Sequence, residues 1–239
     1  MRVVTNESLI ERSRRLAQIL FFVSIAFLIG SFFLSTQVGA SGDLGFYFQC
    51  VTIPVLFGLV LLSVRMTNAW VRQPHPWMAL QEGLKGIGSE TSLYNFVMPA
   101  PHVIAHSSGV FAIVTRFQDS PQKVVDDTWH TSRSLLAFMR QEQLGNPTEE
   151  ARLKARKTEL FLQELLRDDT IRVQPLVVFI SPAANVTIEG EQTVPVLYAN
   201  PDKKKYSLKN YLRDAKSCNY PTLSKDQLDQ LDDLLLYED

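Results

Sequence analysis

Apolar residues fall along this chain in three successive patterns. Residues 16–34 (LAQILFFVSIAFLIGSFFL) and 44–64 (LGFYFQCVTIPVLFGLVLLSV) are long apolar runs without a charge. A helix over the first, rising ~1.5 Å per residue, spans roughly 28 Å, about one hydrocarbon core. Both runs therefore predict transmembrane helices, and Pro54 is tolerable because neighbouring groups in a membrane helix re-satisfy the freed carbonyl. A helical period follows, with Trp77, Leu80, Leu84 and Ile87 on one stripe. The third pattern is the stretch from Pro99 to Phe117, where two apolar segments flank Ser107-Ser108-Gly109. Gly109 supplies the positive φ that a short turn demands, so the stretch predicts a β-hairpin covered on both faces.

Further elements follow from local signals. Ser92 to Met98 and Gln122 to Trp129 favour strands on β-propensity. Asn146-Pro147-Thr148-Glu149 is a helix start: Asn caps the orphan amides, Pro sits at the first helical position and Glu completes a capping box. The helix runs to about Arg167 and buries Ala151, Ala155, Leu162 and Leu165 or Leu166. Strands are expected over Arg172 to Ile180 and Val194 to Tyr198. Short helices close the chain at Ser207 to Ala215 and after Ser224, where Gln227 completes the cap and Leu228, Leu231 and Leu235 face inward.

These elements divide the chain into an N-terminal segment (1–15), a first span (16–34), a short polar loop (35–43), a second span (44–64), a juxtamembrane linker (65–76) and a domain over 77–239. The expected fold class is α/β: a central mixed sheet flanked by helices, preceded by a transmembrane helical hairpin.

Charge sets the orientation. Arg12, Arg14 and Arg15 precede the first span and Arg65 and Arg72 follow the second, while the loop between holds one acid and no base. The positive-inside rule then places both termini in the cytoplasm of a bacterial-type inner membrane. The alternative for the first run is a signal peptide cleaved after Ala40, for which its apolar region is too long. With no ionisable residue inside either span, the helices are expected to anchor rather than conduct. Cys50 and Cys218 offer neither a disulfide framework nor a zinc spacing.

From Trp77 onward the order of segments resembles the nuclease-related domain (NERD) family, a branch of the restriction-endonuclease-like fold. The features that carry it are Ser108-Gly109-Val110-Phe111, Trp129 after a short strand, Asn146-Pro147 opening a long helix, and the strand Val173-Gln-Pro-Leu-Val-Val-Phe179. The resemblance implies a metal-dependent phosphodiesterase, with an acid before the turn and Glu-x-Lys at the end of the strand after it. Two such carboxylates hold Mg²⁺ against the scissile phosphate and the lysine helps activate water. In this chain the acid falls at Pro101, the Glu at Val114 and the Lys at Arg116, and a glutamine of the family's long helix falls at Glu150. Proline and valine offer a hard cation no oxygen, and arginine does not give up its proton. No metal and no cofactor is expected, and Pro101, His102, Val114, Arg116 and Glu150 mark where a cleft would lie.

The alternatives are a divergent nuclease whose ligands have moved, with Glu82, Glu90, Asp119, Asp126 and Asp127 as candidates, and a nucleic-acid-binding protein. His102 and His106 lie on one strand face but ~13 Å apart at ~3.3 Å per residue, too far to share a zinc. Arg133, Arg140, Arg152, Lys154, Arg156 and Lys157 form a candidate basic patch, opposed by an overall charge of −1 and an acidic C-terminus. The expected partners are the lipid bilayer and a protein, including a second copy of the chain. Nucleic acid is less favoured.

Overall fold

The computed structural model describes residues 1–38, 43–131, 144–203, 206–215 and 220–236. They form two units, a helical pair and an α/β domain.

The helical pair is α1 (Glu7–Val38) and α2 (Asp43–Trp70). Both are longer than the uncharged runs: α1 takes in the arginines before the first run and α2 continues past Arg65. Each is long and apolar enough to cross a membrane. Where they pack together they bury Ala17, Ser24 and Ser63, whereas Phe22, Phe32 and Val51 stay 67%, 65% and 67% exposed. An apolar exterior of this extent marks a membrane or protein interaction surface. The hydroxyls of Ser24, Ser31 and Thr36 donate to the carbonyls of Phe21, Leu28 and Phe33 at 2.8, 2.8 and 2.7 Å, which satisfies them within α1.

In the α/β domain, β1 (Arg2–Thr5), β2 (Ser92–Asn95), β3 (His102–His106), β4 (Gly109–Arg116), β7 (Val173–Phe179) and β9 (Val196–Tyr198) form a mixed sheet in that spatial order. The β3–β4 hairpin is central and antiparallel, and β4 and β7 run parallel, joined through α4 (Pro147–Leu166). The sheet is covered on both faces. Val110 and Ala112 meet Ala155 and Leu162 of α4 and Leu231 and Leu235 of α6 (Lys225–Leu236). Phe111 and Ile113 face the other way, onto Leu80 of α3 (Pro76–Gly83) and Leu208 and Leu212 of α5 (Leu208–Asp214). This two-sided burial is why β4 reads as a continuous apolar run. Gly109 adopts φ 138° at the turn, as its place in the sequence requires.

The cap signals are borne out at Ser224 and in half at Asn146, where the Glu149 carboxylate meets Arg152 instead of closing the capping box. Asn146 accepts a hydrogen bond from the Glu149 amide at 3.2 Å with Pro147 at the first helical position. Ser224 and Gln227 cap α6 reciprocally, at 2.8 and 3.2 Å.

Three features depart from the expected arrangement. The first residues are not a separate N-terminal segment: β1 pairs in parallel with β2 at the sheet edge. The region after the β-hairpin does not extend the main sheet. Instead β5 (Gln122–Val125), β6 (Thr128–Thr131) and β8 (Val186–Glu189) build a small second sheet, turned between β5 and β6 by Asp126 and Asp127, both at positive φ. Finally, β8 has no counterpart among the expected strands; it pairs with β5 in parallel.

Gly83 ends α3 against the main chain at Ala199, where a Cβ would overlap the Ala199 carbonyl oxygen. Replacing Gly83 with Ala is expected to destabilise the domain by about 1–3 kcal/mol, the usual cost of forced backbone displacement in a packed interior. Gly30 in α1 has open space around it, so Gly30→Ala is the matched control. Urea transitions of the full chain in detergent, followed by near-ultraviolet circular dichroism, distinguish the two.

Candidate functional site

The positions marked by the sequence lie at one end of the β3–β4 hairpin. His102 pairs with Ile113, the last pair of the hairpin ladder, and Pro101 and Val114 each follow one step beyond it along their own segments. The segment before β3 is held against α4: the Ala100 amide donates to Thr158 Oγ1 at 3.0 Å and Lys154 Nζ to the Pro99 carbonyl at 3.1 Å. Val114 is 1% exposed and packs with Val124, Ala151, Val177 and Phe179, between the main sheet, the small sheet and α4. The space where a carboxylate would point is filled with hydrocarbon.

Two residues further on, Arg116 is buried. Its guanidinium donates to the Leu144 carbonyl at 3.2 Å, to the Thr115 carbonyl at 3.0 Å and to the Glu150 carboxylate. Glu150 lies in the first turn of α4, where the helix dipole favours an acid. The residues standing at the lysine and glutamine positions are thus an ion pair. The Arg116 charge is committed to partners within the chain. Among the described residues no group of three or more His, Cys, Asp or Glu side chains is placed to hold a metal.

His102 is on the other face of the sheet from Val114. Its Nδ1–H donates to Asn95 Oδ1 at 2.8 Å and its ring packs edge-on to Phe96. Burial pushes its pKa down to about 3. His106 is a separate feature: its Nδ1 lies 2.7 Å from Ser108 Oγ and accepts from the Ser108 amide at 3.2 Å, which ties the turn.

The candidate relocated acids have other partners. Asp119 accepts from Ser181 Oγ, Asp126 from the Glu191 amide at 3.1 Å, and Asp127 from the Thr193 amide at 3.1 Å. Glu82 pairs with Lys85. Glu90 lines a groove of about 420 Å³ with Arg2, His106, Lys225 and Asp229, at the opposite end of β3 from Pro101.

The described members of the candidate basic patch lie on α4. Arg152 binds Asp127 at 2.9 Å and also meets Glu149 and Thr193, and Arg156 binds Glu159 at 2.6 Å. Lys154 donates to the Pro99 carbonyl, and Arg156 and Lys157 are exposed on the outer face of this helix. Arg133 and Arg140 lie outside the described residues.

Two carboxylates escaped sequence reasoning. Glu159, 8% exposed, accepts from the Val173 amide at 3.1 Å and so pins the start of β7 to α4. Asp232, 7% exposed, accepts from the Tyr94 hydroxyl at 2.8 Å and from Arg2. The available signal was position: Asp232 follows Leu228 by one helical turn, on the edge of the apolar stripe.

Two outcomes are expected. Glu150→Gln leaves the Arg116 donors without a counter-charge and costs about 1–2 kcal/mol, discounted for the partial exposure of Glu150; adding Arg116→Met recovers most of it. Denaturant midpoints of the single and double variants give the comparison. For His102, the folded ring stays neutral to about pH 3 while the unfolded ring protonates near 6.5. Its contribution is complete above about pH 6.5 and declines as pH falls toward 3, by up to ~1.4 kcal/mol per pH unit. In the window from pH 6.5 to 5, His102→Phe should remove that slope, and NMR titration should find the wild-type ring neutral.

Comparison of the chain with family models, curated proteins and solved structures returns no match to any of them.

Proposed function

We propose that this chain is a two-span membrane protein whose α/β domain is a catalytically inactive member of the nuclease-related branch of the restriction-endonuclease-like fold, working as a binding or scaffold module. The observation that carries the proposal is the Pro101–Val114–Arg116–Glu150 corner. A metal-dependent nuclease needs two carboxylates converging beside a free cation. Here a proline and a core valine stand at those positions, and the cation is held by a carboxylate of the neighbouring helix. An apolar, occupied corner favours a scaffold over a ligand cleft.

The membrane part of the proposal rests on the two apolar helices and on β1. Residues 1–6 belong to one unit with Pro74–Ser134 and Gln143–Asp239. A membrane-spanning α1–α2 pair must then return the chain to the side it left. The flanking arginines favour the cytoplasmic side. Cleavage after Ala40 would discard β1, which argues against a removable leader.

Nucleic-acid binding is disfavoured by the internal pairing of Arg152 and Arg156, since backbone affinity needs free, concentrated positive charge. Purified full-length chain in nanodiscs, incubated with duplex DNA or RNA and Mg²⁺ or Mn²⁺, is expected to give no cleavage above background. Cleavage that EDTA abolishes and Arg116→Ala weakens would overturn the proposal. Salt-dependent retention on duplex DNA without cleavage would favour the nucleic-acid-binding alternative.

A further inference from the structure

The chain leaves the α/β domain at Asn6 and rejoins it at Pro74, and everything between belongs to the helical pair. Both crossing points lead into one small cluster. On the outgoing side, the Asn6 amide donates to the Asn95 carbonyl at 3.0 Å, prolonging the β1–β2 ladder, and Asn95 Nδ2 donates to Thr5 Oγ1 at 3.0 Å. The other amide atom, Asn95 Oδ1, accepts from His102 Nδ1–H at 2.8 Å. Asn95 thus has both ends of its side chain engaged, and it is buried.

On the returning side, the ring of His75 stacks flat on Trp77, with centroids 4.5 Å apart and planes 4° from parallel. Trp77 meets Phe96 edge-on at 5.7 Å, and Phe96 meets His102 at 5.0 Å. Phe96 holds φ 59°, a conformation that costs an aromatic residue energy and persists only where its surroundings fix it. Its amide donates to the Pro101 carbonyl at 2.8 Å, which joins the cluster to the segment leading into β3. A polar string from Thr5 and an aromatic string from His75 therefore end on the same imidazole.

We propose that His102 is a coupling node within the α/β domain: it fastens Thr5–Asn6 and His75–Trp77 to one point of the sheet, so that loosening either segment loosens the other. The device is conformational. A change at one end reaches the other through Asn95, His102 and Phe96, and reaches the Pro99–Pro101 segment through the Phe96 amide. Networks in direct contact give such non-additive behaviour, whereas independent sites do not. The inference rests on the α/β domain alone and stands whether or not that domain descends from a nuclease.

Hydrogen exchange on the full-length chain in nanodiscs tests it. The Asn6 amide reports the outgoing end. The Ala79 amide, which donates to the His75 carbonyl at 2.9 Å, reports the returning end. Thr5→Val is nearly isosteric and removes only the hydroxyl at the Asn95 end, so it is suited to leave the fold intact. It should accelerate exchange at Asn6 and, by about fivefold, at Ala79, with α4 amides unchanged. Trp77→Leu should do the reverse. In a His102→Phe background, where ring packing remains and the Asn95 bond is lost, each variant should affect its own end alone. Acceleration confined to the mutated end in the wild-type background, or cross-effects that persist undiminished with Phe at 102, would overturn the node. Nuclease activity has no bearing on these readouts, so this inference and the functional proposal fail separately.

Discussion

The parallel pairing of β1 with β2 is the constraint on which the rest of the molecule depends. It joins residues 2–5 to 92–95 with the whole helical pair between them. Four residues at a sheet edge are too few to hold by ladder bonds alone, and closing a long loop carries an entropy cost that grows only slowly with length. α1 and α2 pack on each other, so the intervening chain is not a free loop and the cost is lower still. Side chains do the rest. Arg2 meets Asp232 and lies 3.4 Å from Asp229, and Asp232 also accepts from Tyr94. A carboxylate this buried is tolerable because two donors serve it. Burial in turn raises the Tyr94 pKa, so its hydroxyl keeps the proton it donates.

That arrangement gives the sheet two differently built ends. At the end bearing Arg2, His106 and α6, polar groups line an open groove. At the end bearing Asn6, Pro74 and Pro101, polar groups are consumed: Asn95 by Thr5 and His102, Arg116 by Glu150 and two carbonyls, Lys154 by Pro99.

What was legible in the sequence was whatever depends on near neighbours. The turn at Gly109, the Asn146 side-chain cap and the reciprocal cap of Ser224 and Gln227 are set within a few residues, and each forms as its pattern requires. β1 was not legible, since Arg2-Val-Val-Thr5 is too short to show a period and its partner lies beyond the helical pair. The fate of the charges was hidden for a similar reason. Arg152 resembles a solvated base until the turn at Asp127 is brought beside it from the small sheet, and Asp232 resembles part of an acidic tail until β1 supplies Arg2. The folded partner, not the local pattern, decided each of these.

The substitutions at the corner also support one another, which bears on how such a corner persists. With Val114 in the core, Arg116 cannot balance a carboxylate from its own strand, and the counter-charge comes instead from Glu150 on α4. Restoring Glu at 114 alone would drive a carboxylate among Val124, Val177 and Phe179, where no donor awaits it and an unpaired charge costs several kcal/mol. Restoring an acid at 101 alone would put one carboxylate where a divalent cation needs a set of oxygen ligands. Under the proposed descent, each single step back toward a metal site is costly or without benefit. On that proposal, the packing of Val114 that stabilises the sheet also opposes the return of a carboxylate at this position.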